Sequence, residues 1–395
     1  MRTTTLRLAG VAVAGAMVLA ACGGDSSSDD AAAEEPAAEE SAAEEPAAEE
    51  TAAEETAAEE TGSKCATGQV DGDLYLYNWS EYIDPELKTA FEEQYGVAVI
   101  EDNYDSNEAM QPIVAAGNSG YDVIVPSDYM VSIMIEEGSL QALQLDAIPN
   151  MANLDPVFYP APYDPTGEYT AAYQWGTTGL GVDLTVLGDD TPRTWGLVFD
   201  PELSANFGGN ITLLNDPRET IGAALKYLGY SLNTTSMEEL DEAKALVADA
   251  VARIAAFDSD QYDELLVSGQ TQLAHGYSGN MLYGIYEAEN PDDYTYFVPD
   301  EGGTIWTDNM ALPFDAPHPC TAHTFINFIL DAENGAALTN WNLYGSPNAA
   351  SEPFIDAEVL ENEIVYPADR SKLEFITNTG DFETNFSDAF SEAKG

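Results

Sequence analysis

Basic side chains are scarce in this chain. Lysine and arginine number 12 among 395 residues, against 71 aspartates and glutamates, and histidine occurs three times. With no basic patch to neutralise phosphates, nucleic acid is excluded as a partner. Cysteine is as rare as histidine, which excludes a disulfide-dense scaffold. No segment supplies the run of about 20 apolar residues that a membrane-spanning helix requires. No Gly-x-Ser-x-Gly nucleophile elbow occurs. Of the three histidines, His318 and His323 lie around a Pro-rich loop and His275 reads as structural, so an enzyme is not expected. A surface glycosidase working with two acids is the remaining catalytic alternative.

What is present starts with an address. Arg2 and Arg7 form a short basic region before an apolar run, Leu8–Ala21, of fourteen residues. That length suits the core of a secretory signal and falls short of a membrane span. The run closes on Leu19-Ala20-Ala21-Cys22. Small residues before a single cysteine resemble a bacterial lipobox, so a signal peptide is expected over 1–21 and a lipid on Cys22. From Ala32 to Thr61 the unit Ala-Ala-Glu-Glu-(Pro/Ser/Thr) repeats six times. Such a segment has no large apolar side chain to bury and repels itself into extended forms. Residues 22–64 are therefore expected to be an acidic tether, and the protein to sit outside the cytoplasm on the membrane face.

Residues 65–395 are long enough for two domains. They hold nine basic and 56 acidic residues, a formal charge near −47, a solubility or salt-adaptation trait that does not by itself identify a ligand. Cys65 and Cys320 are expected to pair in an oxidising compartment. Two free thiols, or a metal held with His318 and His323, are the alternatives. The spacing His-Pro-Cys-Thr-Ala-His is foreign to zinc sites, so neither metal nor cofactor is expected.

Strands and helices alternate along this part. Leu74–Tyr77 is rich in β-formers. Asp84-Pro85 starts a helix and Gly96 stops it. Val97–Ile100 and Tyr121–Val125 read as further strands, with helices capped by Ser106 and Ser127. Ile211–Leu214 is a strand, and Asp216-Pro217-Arg218-Glu219 opens a helix. Ser236 and Glu239 form a capping box for an amphipathic helix read through Ile254. Ile305–Leu312 is a late strand, and a helix over Ala322–Leu330 follows. This order predicts an α/β fold of mostly parallel sheets covered by helices.

In open α/β sheets, ligands bind beyond the carboxyl ends of strands. The first strand delivers Trp79-Ser80-Glu81-Tyr82 to that edge, and the third delivers Ser127-Asp128-Tyr129. The second unit delivers Asp216 and Glu219, and the late strand carries Trp306 and Asp308. Aromatics alternate with carboxylates, and Arg218 is the only base nearby. Singly, the tryptophans read as core, Ser127, Asp128 and Asp216 as helix caps, and Glu81 as a solvated loop acid. Asp308, in an otherwise apolar strand, is harder to explain that way, because a buried carboxylate needs a partner.

These blocks carry a family likeness. Tyr77-Asn78-Trp79-Ser80-Glu81-Tyr82-Ile83, Tyr121-Asp122-Val123-Ile124-Val125-Pro126-Ser127, Trp175-Gly176, Leu228–Asn233, Glu301–Asp308 and Ser346-Pro347-Asn348 occur in family order. Together they resemble bacterial spermidine/putrescine-binding proteins over roughly residues 72–378. The resemblance implies a two-lobed, type II periplasmic-binding fold, with lobe one from 65–177 plus 309–395 and lobe two from 178–308. It implies an aromatic box of Trp79, Tyr82, Tyr129, Trp306 and Tyr344, with Tyr277 where members usually place Trp. Ser80 and Ser127 would make hydrogen bonds, while Glu81, Asp216, Glu219 and Asp308 would bind ammonium groups, with Asp128 an extra acid beside them. Asn280 stands where putrescine-selective members place Asp, and Ile376 falls near a Gln of spermidine binders. The implied function is capture of a polyamine, spermidine foremost, by a monomer that delivers it to an ABC permease. Another organic cation is the alternative cargo.

Overall fold

Alternating Leu and Tyr side chains set the first strand, Leu74–Asn78 (β1), between Val99–Asn103 (β2) and Val123–Ile124 (β3), all parallel. The helix between β1 and β2, Pro85–Tyr95 (α1), starts where Asp84 Oδ1 accepts the Glu86 N–H at 2.8 Å and ends at Gly96, whose φ is 72°. It buries Leu87 and Phe91, one turn apart. Phe91 meets Phe325 and Phe328 at centroid distances of 5.2 and 5.4 Å, and each fully buried side chain of this kind stabilises the fold by about 1.5–3 kcal/mol. Helices Asn107–Ala115 (α2) and Asp128–Glu137 (α3) follow β2 and β3.

The computed structural model describes residues 64–188 and 190–395. The expected signal peptide, Cys22 and the expected tether as far as residue 63 lie outside the described residues.

A long strand, Thr170–Asp183 (β4), is buried along its whole length. Beyond it come Ile211–Leu213 (β5), Ile254–Phe257 (β6), Leu273–Tyr277 (β7), Tyr294–Phe297 (β8), Gly303–Ala311 (β9) and Leu373–Glu374 (β10). The sheet order is β2-β1-β3-β9-β4-β7-β5-β6, with β8 added to β4 and β10 to β9. The outer sets are parallel, as the alternating pattern implies, whereas β3–β9, β9–β4 and β4–β7 are antiparallel. The first half of β4 pairs with β9 through Thr177; from Thr178 it pairs with β7. One hydrophobic cluster gathers Leu74, Phe91, Val123, Phe325 and Leu338, and a second gathers Leu180, Trp195, Leu225 and Val247. The fold is the two-lobed α/β type, with β4 and β9 passing between the halves.

The second half carries helices Pro217–Leu228 (α4), Met237–Ala250 (α5), Tyr262–Val267 (α6) and Ser278–Glu287 (α7). Pro319–Ile329 (α8), Ala332–Asn342 (α9) and Glu383–Lys394 (α10) complete the chain. Two sequence expectations need correction. The amphipathic helix ends at Ala250, and Ile254 opens β6 opposite Ile211 of β5; a β-branched residue with a strand partner leaves the helical pattern. The terminal helix α10, assigned from sequence to lobe one, packs Phe386 and Phe390 into the second cluster beside Leu225 and Val247. Its apolar face is covered there rather than by the first lobe.

Cys65 and Cys320 lie with Cα atoms 5.2 Å apart and their sulfurs in contact. His318 instead pairs with Asp122, Nδ1 to Oδ2 at 3.2 Å, and His323 Nε2 accepts the Gln144 N–H at 2.7 Å. No cluster of metal-ligating side chains occurs among the described residues.

Candidate functional site

A cleft of about 600 Å³, part of it open to solvent, forms the cavity at the carboxyl ends of these strands. Strand β9 supplies its floor. Trp306 and Asp308 alternate with Thr307 along it, so both side chains emerge on the cavity side. Asp308 Oδ1 accepts the Ser127 hydroxyl proton at 2.6 Å. Ser127 precedes α3 in the capping position yet makes no side-chain cap bond. Its hydroxyl instead accepts from Asn107 Nδ2 at 3.0 Å and its N–H donates to Asn107 Oδ1 at 3.1 Å. Asp128 ties the same turn to β9: its Oδ2 accepts the Thr307 N–H at 3.1 Å.

The opposite wall comes from α4. Asp216 is both helix cap and cavity wall, with Oδ1 accepting the Glu219 N–H at 3.0 Å. Glu219 is held at both oxygens, by Thr178 Oγ1 at 2.9 Å and Thr304 Oγ1 at 2.8 Å. Thr178 in turn accepts from Trp306 Nε1 at 3.1 Å, so one chain of hydrogen bonds orients the indole and the carboxylate together.

Aromatic rings close the remaining sides. Trp306 lies 5.8 Å from Tyr277, 5.3 Å from Tyr344 and 6.5 Å from Tyr82, centroid to centroid. Trp79 stands 6.1 Å from Tyr277 and is anchored by Nε1 donating to the Val125 carbonyl at 2.9 Å. Tyr129 completes the lining, its hydroxyl donating to Glu108 at 2.7 Å.

Among the described residues, no basic side chain lines the cavity. Arg218, two residues after Asp216, is 1% exposed and is not part of the cavity lining. It pairs with Glu383 and donates to the Leu232 carbonyl and Asn233 Oδ1 at 3.2 and 3.1 Å. The cavity acids are therefore desolvated, and their hydrogen bonds and the nearby Arg218 charge offset this only in part. Burial raises Asp308 to about 7 and Asp128 to about 8. It raises Asp216 and Glu219 as well, with the Glu219 charge adding to the shift at Asp216. A group of carboxylates held in this way awaits positive charge.

Of the residues singled out from sequence, Trp79, Ser80, Tyr82, Ser127, Asp128, Tyr129, Asp216, Glu219, Tyr277, Trp306, Asp308 and Tyr344 come together here. Glu81 does not. Its φ of 52° reverses the loop, and it lines a separate neighbouring chamber while Ser80 and Tyr82 face the cavity. Asn280 and Ile376 line the cavity too. Asn107, Ser259 and Tyr262 were not foreseen. Ser259 and Tyr262 follow β6, and taking Ile254 as helix hid that strand's carboxyl end. Asn107 follows the Ser106 cap, a position that sequence marks only as a helix start.

A two-lobed α/β body with one acid-and-aromatic cavity where its halves meet defines a solute-capturing protein. The chain belongs to the bacterial extracellular solute-binding protein family, whose model matches residues 86–365. It is 36% identical over 300 residues to a putrescine/cadaverine-binding protein of Pseudomonas aeruginosa, covering 74% of this chain and 84% of that protein. It is 32% identical over 307 residues to the spermidine/putrescine-binding periplasmic protein of Escherichia coli, covering 78% and 86% respectively. A solved structure, the putative spermidine/putrescine ABC transporter from Listeria monocytogenes, superimposes with a TM-score of 0.77 at 34% identity, covering 82% of this chain and 99% of that one. These relatives are transport binding proteins, and the chain is a binding protein rather than an enzyme.

Proposed function

We propose that this protein captures polyamines outside the cytoplasm and delivers them to an ABC permease. The observation that carries this reading is a cavity with four buried carboxylates, aromatic faces between them and, among the described residues, no basic side chain. A polyamine alternates ammonium groups with methylene runs. Aromatic faces cover the methylenes and attract the cations at about 0.5–2 kcal/mol each, and carboxylates add charge-assisted hydrogen bonds of about 1.5–3 kcal/mol. The names of the relatives support the same cargo class. Calorimetry with spermidine, putrescine, spermine and agmatine tests it. One ligand per chain should bind, and binding should remain saturable at about 0.5 M salt, where loose attraction to an acidic surface is screened. If these amines bind no better than a simple monoamine, another organic cation is the cargo.

The lobes, divided near residues 177 and 309 except for the terminal helix, would close on the ligand as jaws. Ser80 Oγ donates to Asp260 Oδ1 at 2.5 Å and Asn215 Nδ2 to Asp105 Oδ2 at 3.0 Å, each pair joining one lobe to the other.

Anchoring is proposed through a lipid on Cys22, with residues 22–64 as spacer. Cys22→Ser should release the protein from the membrane fraction; persistent retention in fractionated cells would refute the anchor. A disulfide between Cys65 and Cys320 is proposed as the staple between the spacer's end and the first lobe. Alkylation of unreduced secreted protein followed by mass spectrometry should leave both cysteines unlabelled, and labelling of both would mean free thiols.

A further inference from the structure

Beside the main cavity lies a second chamber, with an empty volume of about 320 Å³, lined by Glu81, Asn280, Tyr283, Trp341 and Asn342. Asn280 belongs to both walls. The main cavity is built from acceptors, as a cation requires. The second chamber adds donors, and Tyr344 fixes their direction. The Tyr344 N–H donates to Asn342 Oδ1 at 3.2 Å. The Asn280 N–H donates to the Tyr344 hydroxyl at 3.2 Å, so that hydroxyl gives its own proton to Asn280 Oδ1, at 2.6 Å. Both amide oxygens are thereby engaged, and each amide has its NH2 end left over. Asn342 is 3% exposed, and its Nδ2 has no partner among the described residues.

A buried NH2 group without an acceptor is costly, and a ligand that supplies one gains accordingly. The nitrogens of a protonated polyamine are donors only and do not meet this need. A carbonyl does. The carboxylate of Glu81, which also lines the chamber, is able to accept an N–H. The rings of Tyr283 and Trp341, 5.9 Å apart by centroid, offer apolar faces to a small alkyl group. Donors for C=O, an acceptor for N–H and a surface for methyl are the complement of a secondary amide.

We propose that the second chamber receives the acylated end of a mono-N-acylated polyamine, while the free ammonium end lies among the carboxylates of the main cavity. The proposal rests on the polyamine reading of that cavity and narrows its ligand class. Asn342→Asp is the discriminating change. It keeps the oxygen that accepts from Tyr344 and replaces the donor by a second acceptor. Calorimetry on the full chain should show N-acetylputrescine binding to the wild type within about tenfold of putrescine. Asn342→Asp should weaken N-acetylputrescine by about tenfold or more and putrescine by less than about threefold. Putrescine binding without N-acetylputrescine binding would overturn the proposal. So would equal weakening of both ligands by Asn342→Asp, which would make Asn342 a support for Tyr344 and nothing more. If neither ligand binds, and spermidine also fails, the polyamine reading falls with it.

Discussion

Asp308→Asn is expected to weaken spermidine or putrescine binding by about 30- to 1000-fold, equivalent to about 2–4 kcal/mol. The change keeps the side-chain shape and the Oδ1 acceptor for Ser127, and removes one charge from a site 4% exposed. Trp306→Ala, on the same strand, should cost about 1–3 kcal/mol through lost methylene packing and cation–π attraction. Asp300→Asn is the control. Asp300 is an exposed loop acid that faces Lys372 at 3.6 Å, so its loss lowers the overall charge equally but should alter affinity less than about threefold. Equal losses from the two Asp→Asn changes, measured by calorimetry, would mean that only the diffuse acidic field attracts the ligand. Unfolding would not explain a loss confined to Asp308→Asn, because removing a desolvated carboxylate should leave the ligand-free fold as stable or more so near pH 8.

Affinity should also fall steeply on acidification. The cavity carboxylates must be ionised to hold ammonium groups, and burial has raised their proton affinities in the free protein. Going from about pH 8 to about pH 6, a single carboxylate with a pKa of about 7 weakens binding about tenfold, and two weaken it about 100-fold. Stability carries the opposite sign. A carboxyl whose folded pKa exceeds its ordinary value of 3.8 favours the fold below that value, and the contribution is lost as pH rises through about 7. The ligand-free protein should therefore lose these contributions between about pH 4 and pH 8, while the gain in Tm on adding ligand grows over the same interval. Buried His275, lowered to about 3, works the other way below its ordinary value but touches no ligand, so the ligand-induced gain isolates the cavity acids. A gain that is flat across this interval would show that these groups are already ionised without ligand.

Local chemistry made some of this legible and hid the rest. Asp84-Pro85 with Gly96 carries its own start and stop signals and Asp216-Pro217 its own start signal, and the helices begin where those signals put them. The cavity acids were visible because carboxylates and aromatics recur just after strands. What escaped depends on partners distant in sequence. Ser127 reads as a cap until Asp308, 181 residues away, takes its hydroxyl. Glu81 reads as its neighbours do until a left-handed backbone turns it from the cavity. The antiparallel centre of the sheet was not foreseen, because β4 is an uninterrupted buried run with no alternation to disclose that it serves both halves. Tyr262 and Ser259 were lost with the misread edge of β6.

The course of β9 has a mechanical consequence. Trp306 and Asp308 lie on one of the strands that connect the two halves, which is where a rocking axis would run. Displacement in a rotation grows with distance from the axis, so these two side chains should hardly travel while the rim pairs Ser80–Asp260 and Asn215–Asp105 swing apart. The gripping point is at the fulcrum, with the long levers outside. An arriving amine can then be sampled by the tryptophan and the carboxylate while the jaws stand open, and a permease need only prise the rim to let it go.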